Sequence, residues 1–385
     1  MPVVPMLPIL RAAVRNGYAH GAFNASSIAQ IRAIISIHEL FRSGAVIQGA
    51  DLANGYMGGC MDFRSSTLEH KRIGSDRMAA AVREYGSATR IPVALHLDHG
   101  KDFAAIKDAI DNGYTSVMID ASDRDYATNV ELTREVVKYA HVRGVTVEAE
   151  LGVLAGVEDD VFSATSTYTN PGVVVDFFRK TKIDCLAVSY GTMHGANKGR
   201  DVKLRKEIVI AAMENLRHAG IDGIIVSHGS STVPQYLVRE INAFGGAIED
   251  ANGAEIEQLR TVIGYGVAKI NIDTDIRLAV TRNVREYFYQ HPEYRKAASI
   301  AGIWQVLQSD PAEFDPRVYL APIKETLLTG RVPDERVQDI VGCVERGVFE
   351  AVGPLIATFG AVGSAGKIVP KSLEAMADEY NKAGI

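Results

Sequence analysis

Eight short apolar, β-rich runs recur along the 385-residue chain, and a helix-like stretch follows most of them. The runs span residues 18–25, 44–51, 91–100, 115–122, 145–152, 184–195, 223–230 and 267–275. Between them, stretches such as DFAAIKDAIDNGY and VELTREVVKYAHVRG are periodic, and the second ends in a basic turn and Gly144, a typical helix stop. Strands that alternate with helices indicate parallel βα units. Because eight such units close a (β/α)8 barrel, the sequence predicts an α/β fold of the TIM-barrel class.

An open, doubly wound sheet is the alternative to a barrel. No GxGxxG motif follows the first predicted strand, which disfavours a dinucleotide-binding fold. Two stretches, near 56–90 and 291–350, are longer than the alternation requires. We interpret them as insertions, with a C-terminal helical extension, so that residues 1–385 form one barrel domain.

Composition and charge exclude several classes of protein. A net charge of −6 with no long basic run argues against a nucleic-acid-binding surface. The three cysteines lie far apart without CxxC spacing, so neither a disulfide scaffold nor a cysteine zinc site is indicated. The N-terminus is interrupted by prolines, and no apolar run reaches the ~20 residues of a membrane span. We therefore expect a cytoplasmic protein that binds neither nucleic acid nor membrane.

Polar side chains stand where predicted strands end, which is where barrel enzymes place their active sites. Asp98 and His99 end the third run, and His194 and His228 end the sixth and seventh. Three imidazoles from three strands at one rim are suited to a catalytic zinc ion that keeps one position open. Strand alternation predicts that His96 faces away from His99 and has a structural or supporting role.

Two carboxylates in the fifth run add to this expectation. Glu148 and Glu150 are two residues apart and so share one face of a strand. Inward carboxylates are unusual in a parallel barrel, so we expect at least one of them to lie near the metal.

The sequence also indicates an anion site at the same rim. HGSS (228–231) and NIDTD (271–275) follow the seventh and eighth strands, where barrel enzymes commonly bind phosphate. HGANKG (194–199) adds glycines and Lys198, a cation on a flexible loop. Zinc beside a small phosphorylated ligand favours enolate chemistry, in which the metal polarises a carbonyl and a carboxylate moves protons.

Nine ordered motifs resemble the class II, zinc-dependent fructose-1,6-bisphosphate aldolases and their ketose-bisphosphate relatives. They are GAFNASS, HLDHG, VMIDAS, VEAELG, GTMHGANK, SHGSS, KINIDTDIR, FDPRVYL and FGAVGSAGK. The resemblance covers most of the chain and fails mainly in 56–90 and in 291–350 apart from FDPRVYL. It implies reversible cleavage of a ketose bisphosphate, most often fructose 1,6-bisphosphate, to dihydroxyacetone phosphate and glyceraldehyde 3-phosphate.

The resemblance also implies the catalytic groups. His99, His194 and His228 would hold one catalytic Zn²⁺ ion per subunit. Asp98 would be the acid/base at the C4 hydroxyl, and Glu158 would exchange the proton at the nascent carbon. Weaker matches, Asp120 and Glu150, line the cation region, where the family sometimes shows a second metal site. Activation by a monovalent cation is left open.

The remaining matches concern the phosphorylated sugar. The matching positions are Asn24, Gly195, Lys198, Gly229, Ser231, Asn271, Asp273, Thr274, Arg277 and Arg317. Arg277 and Arg317 match a clamp on the far phosphate, with Arg317 reaching in from a neighbouring chain. The resemblance therefore implies a homodimer or a higher homo-oligomer.

One departure from the family pattern leaves the aldehyde partner open. The family usually has QxSxGA after the second strand, and its serine helps to bind the aldehyde-side phosphate. Here the stretch is QGADLANGY, with Ala50 at the serine position and Asp51 after it. The alternative is the same mechanism with another aldehyde, as in tagatose-bisphosphate or sulfo-sugar phosphate aldolases. A third reading is a non-catalytic barrel that binds a metal or a sugar phosphate.

Overall fold

The computed structural model describes residues 3–154, 156–158, 161–163, 167–196 and 204–384, with the backbone alone at 157–158 and 161–163. The strands are β1 (His20–Asn24), β2 (Ala45–Ala50), β3 (Val93–Gly100), β4 (Ser116–Ile119), β5 (Thr146–Leu151), β6 (Gly156–Glu158), β7 (Val161–Ser163), β8 (Cys185–Val188), β9 (Ile224–Ser227) and β10 (Val267–Ile272). Eight of them close a parallel barrel in the order β1-β10-β9-β8-β5-β4-β3-β2, and β6 and β7 form a separate antiparallel pair. Each predicted run contains one barrel strand, so the TIM-barrel prediction is confirmed.

Helices surround the barrel and extend beyond it. They are α1 (Met6–Asn16), α2 (Ile28–Leu40), α3 (Asp51–Met57), α4 (Leu68–Ala88), α5 (Phe103–Asn112), α6 (Tyr126–His141), α7 (Pro171–Thr181), α8 (Lys206–His218), α9 (Gln235–Ala243), α10 (Ile256–Tyr265), α11 (Thr274–Gln290), α12 (Ala301–Ser309), α13 (Pro316–Tyr319), α14 (Lys324–Thr329), α15 (Glu335–Thr358) and α16 (Leu373–Lys382). Among the described residues, no helix combines the length and the apolar character that crossing a bilayer requires.

The barrel strands are buried along their whole length. Helices cover their outer faces, which explains the continuous apolar runs in the sequence. Helix α1 packs against the strand starts, where the Leu7 amide donates to Thr146 Oγ1 at 3.0 Å. The polar residues singled out by the sequence therefore lie at the opposite end of the barrel, where the strands end.

The two stretches that fit the alternation poorly are largely helical. Residues 56–90 contain the end of α3, a 3-10 turn at Phe63–Ser65 and the 21-residue helix α4. Residues 291–350 contain α12, α13, α14 and much of α15, which packs along α11. A Cβ at Gly347 would lie 2.6 Å from the Val280 backbone, so the close approach of α15 to α11 requires glycine there. The assignment of 1–385 to one domain stays a prediction.

Asp51, the first residue of α3, forms an ion pair with Lys71 of α4. Its side chain is 2% exposed, and Oδ2 lies 2.8 Å from Lys71 Nζ. Asp51 is therefore a buried ion-pair partner, which removes one reason to expect an unusual aldehyde.

We expect Lys71→Met to lower the free energy of unfolding by about 3 kcal/mol, because the buried Asp51 carboxylate then loses the ion pair with Lys71. Urea denaturation measures this loss. Lys138→Met, which replaces an exposed lysine of α6, is the matched control. Equal losses in the two variants would contradict the structural role of the Asp51–Lys71 pair.

Candidate metal and active site

Three buried histidines meet at the carboxyl end of the barrel. His99 belongs to β3, His228 directly follows β9, and His194 lies in the loop after β8. One ring nitrogen from each lies within 4.8 Å of the others. The sequence predicted a strand that continued to His194, which was wrong because β8 ends at Val188. The three side chains nevertheless form one group.

The backbone at His99 breaks the alternation of β3. Its φ is +46°, and the pairing of β3 with β4 shifts register between Leu97 and Gly100. A left-handed backbone at a residue other than glycine costs about 1–3 kcal/mol, and such outliers cluster at functional sites. Because the alternation of β3 is interrupted here, it does not predict that His96 and His99 face opposite ways. His96 lies inside the barrel, where Nδ1 contacts Ser116 Oγ at 2.8 Å.

Carboxylates hold the outer nitrogens of two of these rings. His99 Nδ1 lies 3.0 Å from Asp120 Oδ2, and His228 Nε2 lies 2.7 Å from Glu148 Oε1. A neutral imidazole that donates one N–H to a carboxylate keeps a lone pair on its other nitrogen. Those other nitrogens, His228 Nδ1 and His99 Nε2, face each other at 3.0 Å. A proton or a metal cation must therefore lie between them.

This arrangement fits a divalent cation. Two nitrogen ligands of a tetrahedral zinc ion lie about 3.3 Å apart, close to the observed separation. Burial alone lowers the pKa of His99, but the carboxylates of Asp98 and Asp120 raise it well above its ordinary value. The same negative charge that holds a proton here would hold a metal ion.

A buried ion pair lies behind His228. Glu148 Oε2 is 2.9 Å from Lys269 Nζ, and both side chains are fully buried. Burial alone would raise the pKa of Glu148, but Lys269 and the hydrogen bond from His228 lower it. Glu148 therefore stays ionised and orients the His228 ring.

A second carboxylate group adjoins the first. His99, Asp120 and Glu150 also place one ligand atom each within 4.8 Å of the others. Burial and the negative charge of Asp120 raise the pKa of Glu150 well above its ordinary value. Its Oε2 has no hydrogen-bond partner in the described part of the chain. A cation at this position would relieve both features.

Asp98 is buried and oriented beside the histidines. Asn271 Nδ2 donates to Oδ1 at 2.9 Å, and Gln48 Nε2 donates to Oδ2 at 3.1 Å. Burial alone would raise the pKa of Asp98, but His99 and His228 lower it. The carboxylate is therefore ionised, the form that accepts a proton.

Two predicted sugar contacts also support Asp98. Asn271 binds Asp98 directly, and Asn24 accepts a hydrogen bond from Gln48 Nε2 at 2.6 Å. Gln48 was missed by the sequence reasoning. Its signal was a single polar side chain inside the apolar run AVIQGA.

The loops after β9 and β10 are tied together at the rim. Ser231 Oγ accepts hydrogen bonds from the amides of Asp273 and Thr274, each at 3.2 Å. Gly229 has φ +58°, and a Cβ there would lie 2.7 Å from the Met193 backbone. The predicted phosphate-binding positions of these loops are therefore adjacent to the loop that carries His194.

A cavity of about 600 Å³ opens beside His194. Five further predicted positions line it, namely Gly195, Asp273, Thr274, Arg277 and Arg317. The sequence reasoning did not single out Phe63, Arg64, Glu249, Glu313 and Asp315, which also line it. Phe63 and Arg64 come from the stretch 56–90, where no motif identified them. Asp315 lies within the motif FDPRVYL, of which only Arg317 was predicted to contact the substrate.

Arg277 and Arg317 meet within one chain. Asp315 Oδ2 lies 3.0 Å from Arg277 Nη1 and 2.7 Å from Arg317 Nη2. FDPRVYL folds back against α11, so Arg317 lines the cavity of its own chain. A contribution of Arg317 from a neighbouring chain stays a prediction, and so does the homo-oligomer.

Two predicted positions lie wholly or partly outside the described residues. Lys198 lies outside the described residues, and so does the side chain of Glu158, whose backbone belongs to β6. A Cβ at Gly156 would lie 2.3 Å from the His194 carbonyl oxygen. The β6–β7 hairpin therefore starts against the His194 loop.

The sequence and the fold are similar to those of known fructose-bisphosphate aldolases. The profile of the family described as "Fructose-bisphosphate aldolase class-II" matches residues 4–333. A fructose-bisphosphate aldolase of Giardia intestinalis is 36% identical over 375 residues, which cover 97% of this chain and 98% of that protein. One from Thermus caldophilus is 38% identical over 327 residues, which cover 84% and 94%. A solved fructose-bisphosphate aldolase structure from Campylobacter jejuni has a TM-score of 0.67 at 20% identity, covering 94% of this chain and 97% of that chain, and supports the barrel fold.

Proposed function

The chain belongs to the class II fructose-bisphosphate aldolase family, and we propose that His99, His194 and His228 hold the single catalytic Zn²⁺ ion of this metal-dependent carbon–carbon lyase. One observation carries the proposal. Three buried imidazoles converge beside an ionised aspartate and open into a cavity lined by arginines.

Zinc is the metal that this donor set favours. Three imidazole nitrogens with one open position are a catalytic zinc arrangement. Such a cation, when bound, supplies Lewis-acid polarisation of a carbonyl. The Asp120–Glu150 group supports a second divalent position, and the number of ions stays a prediction.

Asp98 performs the proton transfer of cleavage. Its ionised carboxylate takes the proton of the C4 hydroxyl of fructose 1,6-bisphosphate. The C3–C4 bond then breaks, C4 becomes the aldehyde carbon, and the electron pair moves to the C2–C3 unit as the enediolate of dihydroxyacetone phosphate. Glu158 delivers a proton to C3, and the reverse sequence describes condensation. Gln48 and Asn271 keep the Asp98 carboxylate aimed during these steps.

The rim loops supply the sugar and phosphate contacts. We assign the ketone-side phosphate and its hydroxyls to the loops that carry Gly195, Lys198, Gly229, Ser231, Asn271, Asp273 and Thr274. We assign the other phosphate to Arg277 and Arg317, which both line the cavity.

A different aldehyde is the second candidate function, as in tagatose-bisphosphate or sulfo-sugar phosphate aldolases. Ala50 favours it, since a hydroxyl is missing at that position. Asp51 no longer favours it, because Lys71 neutralises this carboxylate away from the cavity.

A coupled assay of dihydroxyacetone phosphate release tests these functions. We expect fructose 1,6-bisphosphate to be cleaved with a higher kcat/KM than tagatose 1,6-bisphosphate, which differs only in configuration at C4. A preference for the tagatose isomer would replace the first function with the second. Absence of turnover with every ketose bisphosphate, in zinc-loaded protein, would favour a non-catalytic barrel.

A further inference from the structure

Three arginines line the cavity, and two of them are engaged by carboxylates. Arg277 Nε donates to Asp273 Oδ1 at 3.0 Å and Nη1 donates to Asp315 at 3.0 Å. Arg317 donates to the same Asp315 carboxylate from Nε and Nη2. Arg64 makes no ion pair within the described part of the chain, and its guanidinium packs only near the Phe63 ring.

The balance of charges in the cavity lining determines how well a phosphate can bind there, so the difference between Arg64 and the two paired arginines matters. Four carboxylates, those of Glu249, Asp273, Glu313 and Asp315, line the cavity together with the three arginines. A phosphate monoester carries about −1.5 to −2 charges at neutral pH. Since Arg277 and Arg317 are already shared with acids, they offer such a ligand little uncompensated positive charge. Among the lining arginines, Arg64 is the one whose charge no carboxylate in the described part of the chain offsets.

The Phe63 ring contacts the guanidinium groups of both Arg64 and Arg317. The Cζ atoms of Arg64 and Arg317 lie 5.4 Å and 4.4 Å from the centroid of the Phe63 ring. Phe63 is buried and packs edge-on against Tyr56 of α3 at 6.0 Å. Both guanidinium groups therefore pack against one buried ring that lines the cavity.

The backbone that carries Arg64 is anchored on both sides. Lys324 Nζ donates to the Cys60 carbonyl at 2.7 Å, and Ser65 Oγ donates to the Asp62 carbonyl at 2.9 Å. The contact of Lys324 with Cys60 joins the 56–90 segment to α14. Residues of 56–90 and of 291–350, the two stretches outside the βα pattern, both line the cavity.

We infer that Arg64 binds the phosphate of the aldehyde-side half of the substrate and thereby sets a preference for phosphorylated aldehydes. This inference rests on the proposed aldolase function and deepens it by naming a further residue for the aldehyde-side phosphate. Guanidinium groups bind phosphate oxygens in a planar, bidentate geometry, and an arginine without a carboxylate partner does so without first breaking an ion pair. Arg317 and Arg277 complete the set around the same phosphate.

Condensation kinetics of Arg64→Gln test the inference, with dihydroxyacetone phosphate as the constant donor. We expect KM for glyceraldehyde 3-phosphate to rise about ten-fold. KM for dihydroxyacetone phosphate and kcat/KM for unphosphorylated glyceraldehyde should stay unchanged. Arg64→Lys should recover part of the loss, because it restores the charge without the planar geometry.

Arg15→Gln is the matched control, since it removes an exposed arginine from α1 at the other end of the barrel. Thermal unfolding verifies that all three variants are folded. If Arg64→Gln leaves KM for glyceraldehyde 3-phosphate unchanged, or raises the KM of donor and acceptor equally, the inference is overturned. If the wild-type protein catalyses no condensation, the proposed function itself fails, and the two failures are thereby distinguished.

Discussion

Metal removal is expected to lower the rate of fructose 1,6-bisphosphate cleavage by more than about 10³-fold, and added zinc should restore it. Polarisation of a carbonyl by a bound cation is worth several kcal/mol of transition-state stabilisation, and about 4 kcal/mol corresponds to this factor. Dialysis against a chelator, followed by metal analysis and a coupled assay, measures the loss. Activity that survives complete removal of the metal would contradict a metal-dependent reaction in this chain.

Two histidine variants test where the zinc ion binds. His228→Ala should lose both bound zinc and activity, because it removes one of the three proposed ligands. His218→Ala removes an exposed histidine of α8 and should change neither quantity. Wild-type zinc content in His228→Ala would show that the three-histidine group is not the site.

Zinc retention should also depend on pH. The carboxylates of Asp98 and Asp120 hold the pKa of His99 above its ordinary value in the metal-free protein, against the effect of burial. A metal ion must displace this proton, so its apparent affinity should fall as pH falls, by up to about ten-fold per unit for one displaced proton. Zinc titrations between neutral and mildly acidic pH measure the slope.

The barrel was predictable because its strands repeat one strong pattern. Each strand is buried on both faces and therefore appears as an apolar run, and eight of them leave few alternative folds. The three histidines could be predicted for the same reason, since the carboxyl ends of parallel barrel strands meet at one rim.

The remaining features depend on geometry that periodicity does not encode. The left-handed backbone at His99 brings two consecutive residues, Asp98 and His99, to one site, which strict alternation forbids. The pairing of Arg317 with Arg277 through Asp315 depends on how a distant segment folds back onto α11. Tertiary contacts of this kind have no local sequence signal, which is why Arg64 was missed and why the motif FDPRVYL indicated Arg317 but not Asp315.

The wall that carries Arg64 illustrates the same point. Its residues come from segments that only appear as excess length in the sequence. Their role emerges from contacts such as that of Lys324 with the Cys60 carbonyl, which join the two segments across the chain. The proposed catalytic groups thus lie on the barrel strands and on the segments that follow them, whereas the proposed aldehyde selectivity depends on the longer stretches added to the barrel.

Asp98→Ala should lower kcat by about 10³-fold while the protein keeps its zinc, since positioned acid–base groups contribute factors of 10²–10⁴. The three proposed zinc ligands are histidines and do not include Asp98. Metal analysis therefore distinguishes loss of the Asp98 carboxylate from loss of the zinc ion. The variant leaves Asn271 Nδ2 without its acceptor, which should cost about 1–3 kcal/mol of stability and is measured by thermal unfolding.

The Asp98 experiment needs a control for charge alone. Asp123→Ala removes an exposed carboxylate from the loop after β4 and should leave kcat and zinc content unchanged. A second readout concerns the order of events. If Asp98 takes the C4 hydroxyl proton, its loss should slow C3–C4 cleavage far more than it slows exchange with solvent of a proton on the hydroxymethyl carbon of dihydroxyacetone phosphate, which is C3 of the parent sugar. Exchange requires only the donor half of the substrate and the proposed action of Glu158. Equal losses in cleavage and exchange would move Asp98 from the C4 hydroxyl to the donor side of the reaction, and a normal cleavage rate would remove it from the mechanism.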